Sequence, residues 1–481
     1  MTICILWLRR DLRLDDNPAL VAAIRSHKRV IPLYIHEKGL SSSFGHDGLA
    51  SRWWLHHSLV SLSEELSRKG SRLLIRSGEA LEVIKNLIQE TSAETVYWNR
   101  LYTPREIERD RSIKAWLEGQ HIKVSSHNSA LLKEPWVHRK PDGAPYRVFT
   151  PFWKSLEQSL SPDLPDACPQ ALPEVPDNLL GESPVSLGLL PKISWDEGFY
   201  SIWKPGEEGA WRNLDQFTNQ AMSGYGHERD IPSLSSTSRL SPHLRFGEIS
   251  IRRVFARIRE VTEEGNVPGA LTFAKELGWR EFANHLLFHY PHTVEEPLDP
   301  RYTHFPWRTD FESDLVHWQR GMTGFPIIDA GMRELWATGW MHNRVRMIVA
   351  SFLTKNLLIP WQRGAEWFWD TLVDADLAAN TLGWQWSSGC GADAAPYFRI
   401  FNPILQGEKF DAEGRYVRQW VPEISRLPAT WIHRPFERSH AELDAFGVRL
   451  GEHYPLPIVD LANSRKRALD AYEVIRNRQT A

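Results

Sequence analysis

Cysteine is scarce: Cys4, Cys168 and Cys390 are the three in 481 residues. They lie far apart and no C-x-x-C occurs, so neither a disulfide framework nor a metal site is indicated. Positive charge is not in excess either, since 57 Lys and Arg against 60 Asp and Glu leave a net charge of −3. No global basic field therefore points to nucleic acid, and any such contact must come from a local patch. A long apolar run is missing at the N-terminus, where Ile3–Leu8 is cut off by Arg9, Arg10 and Asp11. That is too short for a signal segment or a membrane span. No G-x-G-x-x-G follows this run, which excludes the usual dinucleotide fingerprint, and no internal repeat is found. The expectation is a soluble, monomeric protein of a reducing compartment, cytoplasmic, with room for two or three domains.

What is abundant is tryptophan, with 22 against 12 Tyr and 20 Phe. Most of these serve packing, since large aromatics dominate cores, but some positions ask for another account. Residues 1–130 alternate as an α/β domain does. Expected strands are Ile3–Leu8, Val30–Ile35, Leu73–Ile75, Thr95–Trp98 and Ile122–Ser125. Between them Pro18 can open a helix, and Ser51–Lys69 carries Leu55, Leu59, Leu62 and Leu66 at helical spacing with Ser51 as N-cap. A parallel, Rossmann-like sheet covered by helices on both faces should result. Residues 131–210 read as an interdomain linker, with Pro162, Pro165, Pro169, Pro173, Pro176, Pro184 and Pro191 and little periodicity. Residues 211–481 turn helical, with helices expected near 212–223, 249–262, 268–290, 326–338, 343–358 and 364–371. The fold class is thus an α/β N-terminal domain followed by an all-α domain.

The stretch from Thr338 to Trp386 concentrates the chemistry. TGWMHNRVRM places His342, Asn343, Arg344 and Arg346 ahead of an apolar helix, and DADLAANTLGWQW brings Asp374, Asp376 and Asn380 among small residues before Trp384 and Trp386. Buried charge needs a partner, so Arg346 and the two acids suggest one dry, paired site. A large planar ligand would account for the small residues and the indoles together. A structural salt bridge, a Ser-Pro helix cap at Ser241 and a helix-end amide at Asn380 are the plainer readings of the same residues.

Seven segments in order carry a resemblance. They are LWLRRDLRLDDNPAL (6–20), SGYGHERDIP (223–232), TSRLSPHLRFGEIS (237–250), ELGWREF (276–282), TGWMHNRVRM (338–347), DADLAANTLGWQW (374–386) and DAAPYFRIFNP (393–403). Through them the chain resembles the DNA photolyase/cryptochrome flavoproteins over nearly its whole length. The resemblance implies FAD held by Tyr225, Thr237, Ser238, Arg239, Leu240, Ser241, Trp279, Arg346, Asp374, Ala375, Asp376 and Asn380. Asn380 matches the position facing flavin N5, and Arg346 with Asp374 the pair beside the isoalloxazine, where fixed charge tunes the reduced flavin. Glu276, Trp279, Arg280, Asn343, Met347 and Trp386 match the pocket for a flipped pyrimidine dimer, since a lesion inside the duplex cannot reach the flavin. Asn343 and Met347, four apart, share a helix face. Arg229, Arg344 and Arg399 match phosphate contacts. Trp384, Trp361 and Trp307 match the electron-hopping chain, and two residues on, Trp386 points about 200° away from Trp384 on a helix.

SRWWLHHSL (51–59), EPW (134–136) and RLPATWIHRPF (426–436) resemble plant cryptochromes and the class III photolyases. Asn380, Trp386 and Met347 are all of the repair type, and Asn343 after His342 departs from the His-His of (6-4) photolyases. The resemblance therefore implies an enzyme, a deoxyribodipyrimidine photo-lyase acting on UV-damaged DNA. A blue-light receptor is the alternative, and a generic flavin oxidoreductase lacks its nicotinamide fingerprint. For the antenna, class III character points to 5,10-methenyltetrahydrofolate, with 8-hydroxy-5-deazaflavin or none as alternatives. Arg105–Glu106 and HTVEEP (292–297) depart from the usual folate pattern.

Overall fold

The computed structural model describes residues 3–37, 44, 47–160, 165–265, 267–394 and 398–477. Residues 395–397 of the last motif, and Pro162, lie outside the described residues. The chain divides into two compact units, the first of 1–223, 238–291 and 373–378 and the second of 224–237, 292–372 and 379–481.

The first unit is built on five parallel strands: β1 (Ile3–Leu8), β2 (Arg29–His36), β3 (Leu74–Ser77), β4 (Thr95–Asn99) and β5 (Lys123–His127), in the order β3-β2-β1-β4-β5. β1 is central and reads ICILWL, nearly all buried, as a strand covered on both faces must. β5 reads KVSSH and lies at an edge with its side chains half-exposed. Helices α1 (Pro18–Ser26), α2 (Leu49–Arg68), α3 (Ala80–Thr91) and α4 (Pro104–Gly119) make the crossovers. Pro18 opens α1, and the Asn17 side chain accepts from the Leu20 N–H. The expected cap at Ser51 is not used: α2 starts two residues earlier with Gly48 at its N-cap, and Ser51 is buried inside the helix.

The proline-rich segment is irregular, as its composition dictates, but it is seated on the sheet domain. Leu172 N–H donates to Lys69 and Glu182 N–H to Ile75, while the Glu182 carboxylate accepts from Ser77. Val175 and Leu179 join the core around Trp7, Leu33 and Trp98. The unit continues with α5 (Phe149–Gln158), α6 (Ser241–Phe246), α7 (Ile251–Glu264) and α8 (Pro268–His289). The helix expected over 212–223 starts earlier, as Glu207–Gln216 after Gly206, and ends in a π-helical turn over Phe217–Ala221.

The second unit is helical. Its main elements are α9 (Pro326–Thr338), α10 (Asn343–Ser351), α11 (Trp361–Thr371), α12 (Leu377–Ser388), whose first two residues belong to the first unit, and α13 (Leu461–Asn477). α10 runs on into a π-helical turn, Phe352–Asn356. Buried carboxylates tie these elements together. Asp329 of α9 accepts from Thr323 N–H and hydroxyl, Gly324 N–H and the Tyr454 hydroxyl. Glu334 of α9 accepts from the Tyr416 hydroxyl at 2.7 Å and the His342 N–H at 3.3 Å, which fixes the start of α10. Among the described residues no helix is long and apolar enough to cross a membrane, and no cluster of metal-ligating side chains occurs.

Candidate functional site

In the first unit, the segment entering α6 is bent. Arg239 has φ +53, a left-handed conformation that costs energy outside glycine and asparagine. The bend turns the Leu240 N–H toward the Ser238 hydroxyl (3.4 Å) and sets the Arg239 guanidinium over the Trp203 ring. Leu240, not Ser241, occupies the N-cap of α6, and Ser241 and Pro242 are its first two residues. Ser241 is displaced from the cap because the chain is still turning at Arg239. α6 has only six residues, so hydroxyls and turn N–H groups, rather than a strong helix dipole, supply what this segment offers an anion.

Arg245, at the end of α6, was not singled out from sequence. Its Nε donates to the Ala375 carbonyl at 2.6 Å and an Nη to Asp47 at 2.9 Å, so the 374–376 segment is clasped to α6. Asp374 and Ala375 are buried, and Asp376 lies within the electrostatic reach of Arg10 and Arg245. Around them stands a set of paired charges at the carboxyl ends of the strands. Arg10 faces Glu106 at 3.3 Å, Arg9 bonds both oxygens of Asp110, and Arg109 reaches Glu37 at 2.5 Å. Burial raises the Glu106 carboxyl, but Arg10, Arg109 and the Thr103 hydroxyl outweigh it and hold it down at about 2. Arg105, its neighbour, is exposed.

On α8, Glu276, Trp279 and Arg280 are half-buried and share one face at i, i+3 and i+4 spacing. The Trp279 indole stacks on Phe149 of α5 with centroids 3.7 Å apart and planes 8° from parallel. Phe149 therefore covers one face of this ring, a long-range contact that helical spacing could not reveal. Arg280 donates to the Ala130 carbonyl at 2.8 Å and to Glu281 at 3.2 Å. Buried Glu281 also accepts from the Leu132 N–H, so the 130–132 loop is anchored under α8.

In the second unit, His342 caps α10 and accepts from the Arg344 N–H. Asn343 is exposed and Met347 half-buried on the same helix. Arg344 donates to Asp230 at 2.8 Å and lies over the Phe410 ring. Arg229 lies over Tyr225, which is buried, and the half-buried Arg346 donates to the Met341 carbonyl. The Asn380 amide donates to the Ala365 carbonyl at 3.0 Å. Only its NH₂ end can make that bond, so the amide orientation is set.

Trp384 and Trp386 leave α12 in different directions. Trp384 is 2% exposed, packed edge-on to Phe368 (5.0 Å) and Trp318 (6.2 Å). Gly364 of α11 makes that possible, because a Cβ there would fall 2.0 Å from the indole. Trp386 is half-buried, and its Nε1 donates to the Asp393 carbonyl at 3.2 Å. It lines a cleft with Met347, Ser351, Lys355 and Arg399. Trp361 is buried at the start of α11, and Trp307 is half-buried against Phe305 at 4.4 Å.

Comparison with known proteins agrees with this architecture. The family model for DNA photolyase matches residues 4–174, and that for the FAD binding domain of DNA photolyase matches residues 273–474. The chain is 49% identical to the deoxyribodipyrimidine photo-lyase of Agrobacterium fabrum over 98% of both proteins. It is 40% identical to Cryptochrome-1 of Arabidopsis thaliana over 97% of this chain and 70% of that protein. The crystal structure of a bacterial class III photolyase from Agrobacterium tumefaciens superposes with a TM-score of 0.96 at 48% identity, covering 99% of this chain and 98% of the other. With the two photolyase family models matched in order and relatives at 49% and 40% identity spanning nearly the whole of this chain, the chain belongs to the DNA photolyase/cryptochrome family.

Proposed function

We propose that the protein is a class III photolyase that repairs cyclobutane pyrimidine dimers in DNA by light. The observation that carries this is the cleft in which Met347 and Trp386 sit together with Arg399. Its lining brings together a flat indole, a pliable apolar side chain and a cation, the groups that contact with linked bases and a phosphate calls for. FAD is the cofactor, and the donor set fits it. Thr237, Ser238, Arg239, Leu240 and Ser241 offer hydroxyls and turn N–H groups to its phosphates. Tyr225, Trp279, Arg346 and the clasped segment Asp374–Asp376 take the rest by their match to family positions. Asn380, with its NH₂ tied to Ala365, has Oδ1 to present to a flavin N–H. When bound and fully reduced, FAD supplies a light-driven electron that opens the cyclobutane ring and is recovered, so the reaction has no net redox change.

The chain's own residues hold and polarise the substrate. A dimer pairs poorly, so extruding it costs less than extruding normal bases. By their match to family positions, Trp386, whose Nε1 donates to the Asp393 carbonyl, and Trp279 would stack on the lesion. By the same match Met347 would fill the apolar side, Glu276 and Asn343 would hydrogen-bond base edges where charge develops, and Arg280 would belong to the same set. Arg229, Arg344 and Arg399 meet phosphates. Trp384, Trp361 and Trp307, from buried to half-buried, would relay electrons from an external reductant at the surface toward the flavin. The antenna is 5,10-methenyltetrahydrofolate. The crevice at the carboxyl ends of the strands, where the strand order reverses between β1 and β4, is the place where such a fold takes a ligand. A separate near-ultraviolet band in the absorption spectrum supports that antenna, and a visible deazaflavin band or no second band rejects it.

The identity to a plant cryptochrome favours a second reading, a blue-light receptor without repair. Blue light on the reduced protein with an irradiated oligonucleotide decides between them. Loss of dimers in the light and not in the dark supports repair. Unchanged dimers with a photoactive flavin support the receptor.

A further inference from the structure

The cleft beside Trp386 has in its lining a lysine that the repair reading leaves without a role. Lys355 lies in the π-helical turn that continues α10, a type of distortion frequent at functional sites, and it is 1% exposed. Its Nζ donates to the carbonyl of Ser388, the last residue of α12, at 2.7 Å. It also stands 3.3 Å from the centroid of the Phe398 ring. A cation is favoured at a helix C-terminus and over an aromatic face. Gly389, with φ +87, makes the approach possible, since a Cβ there would meet Nζ at 3.3 Å and the Tyr302 hydroxyl at 3.0 Å. Three pieces of chain thus converge on one ammonium: the end of α12 that carries Trp386, the 398–401 segment that carries Arg399, and α10 with Met347. The 398–401 segment is held a second time by the Phe401 N–H, which donates to the Ser351 hydroxyl.

Among the described residues, the neighbouring groups that burial shifts move away from neutrality, whereas Lys355 moves toward it. From the turn after α12 comes the Cys390 thiol, pushed up to about 12 by burial. From the 299–302 segment come Tyr302, which burial raises far above its ordinary value, and Asp299, which is paired with Arg301. From α13, Tyr472 stacks on Phe398 at 4.7 Å, and Arg399 opens onto the solvent side. We propose that Lys355 is a positioning residue for lesion binding: its ammonium locks the end of α12 and the 398–401 segment in the arrangement that sets Trp386 and Arg399 around one cleft. Burial lowers the amine to about 7. The lock is therefore closed below pH 7 and loosens as pH rises through 7. The neutral amine can still reach Ser388, but it loses its attraction to the helix end and to Phe398.

The proposal rests on the repair reading, and the test separates the two. Dark binding of the FAD-loaded protein to an oligonucleotide with one cyclobutane dimer, and to its undamaged twin, is followed by anisotropy from pH 6 to 8.5. Thermal melting and flavin content report folding of each variant. For the natural chain, affinity for the dimer over the twin should fall several-fold as pH passes 7. Lys355→Met should bind the dimer weakly with a flat profile. Phe398→Leu, which leaves the lysine in place, should move the midpoint to lower pH by about half a unit, the shift expected for losing a cation–π contact of ~0.7 kcal/mol. A Lys355→Met protein that keeps the pH profile of the natural chain overturns the proposal. If that variant does not fold, an unshifted midpoint in Phe398→Leu overturns it instead. No preference for the dimer at any pH overturns the repair reading, and the proposal with it.

Discussion

Trp384 shows how much one missing side chain can arrange. Its indole occupies the space that a Cβ on Gly364 would take, against Phe368 and Trp318. Trp384→Phe should slow photoreduction of oxidised FAD by about tenfold or more, a barrier change of ~1.4 kcal/mol. Repair by pre-reduced protein should stay close to normal, and flash photolysis beside a repair assay checks both. Gly364→Ala forces the ring aside. It should lower stability by about 1–3 kcal/mol, seen as a lower Tm, and slow the same photoreduction step. Arg344 is different in kind, because Asp230 already neutralises part of its charge at 2.8 Å. Arg344→Ala should weaken dark binding to damaged and undamaged DNA alike and lower the log–log salt slope by about 1. A loss confined to the damaged strand would instead place Arg344 at the lesion.

Among the elements, α8 has the sharpest pH signature. Burial pushes the Glu281 carboxyl up to about 7, against the pull of Arg280 and of the Leu132 and Lys133 N–H groups. A carboxyl raised on folding gives stability that is complete below its unfolded value near 4.5 and is lost as pH rises through 7. The loss is on the order of 3 kcal/mol across that window. Glu281→Gln, which stays neutral, should flatten the pH dependence of thermal unfolding between pH 5 and 7.5. A variant with the same slope as the natural chain would show that another group titrates there. α9 and α10 are joined by Glu334, so Tyr416→Phe, which leaves that carboxylate short of a donor, should cost about 1–3 kcal/mol in denaturant unfolding.

For the whole molecule, what could be read beforehand follows the range of the interaction. The strands were legible within one or two residues because β1, β2 and β4 are apolar runs bounded by polar turns. α8 and α9 were legible because Pro268 and Pro326 open them and the apolar spacing persists. The caps at Ser51 and Ser241 were misplaced because a cap depends on the backbone just before it, and there the chain turns elsewhere. The proline-rich segment looked like a bare linker because its hold on Lys69, Ile75 and Ser77 is non-local. The residues named for the site came from motif resemblance. Arg245 on Ala375, Phe149 under Trp279 and Lys355 on Ser388 have no local pattern, and only folding brings them together.

The central claim is that light opens a dimer with no net oxidation or reduction of the protein. The direct measurement is a series of blue flashes on a stoichiometric complex of reduced protein and dimer-containing oligonucleotide, recording absorbance at the base and flavin bands together. The account predicts that base absorbance recovers stepwise to full repair while the flavin ends in its starting reduced state. Flavin that becomes oxidised flash by flash, with the dimer intact, would contradict it.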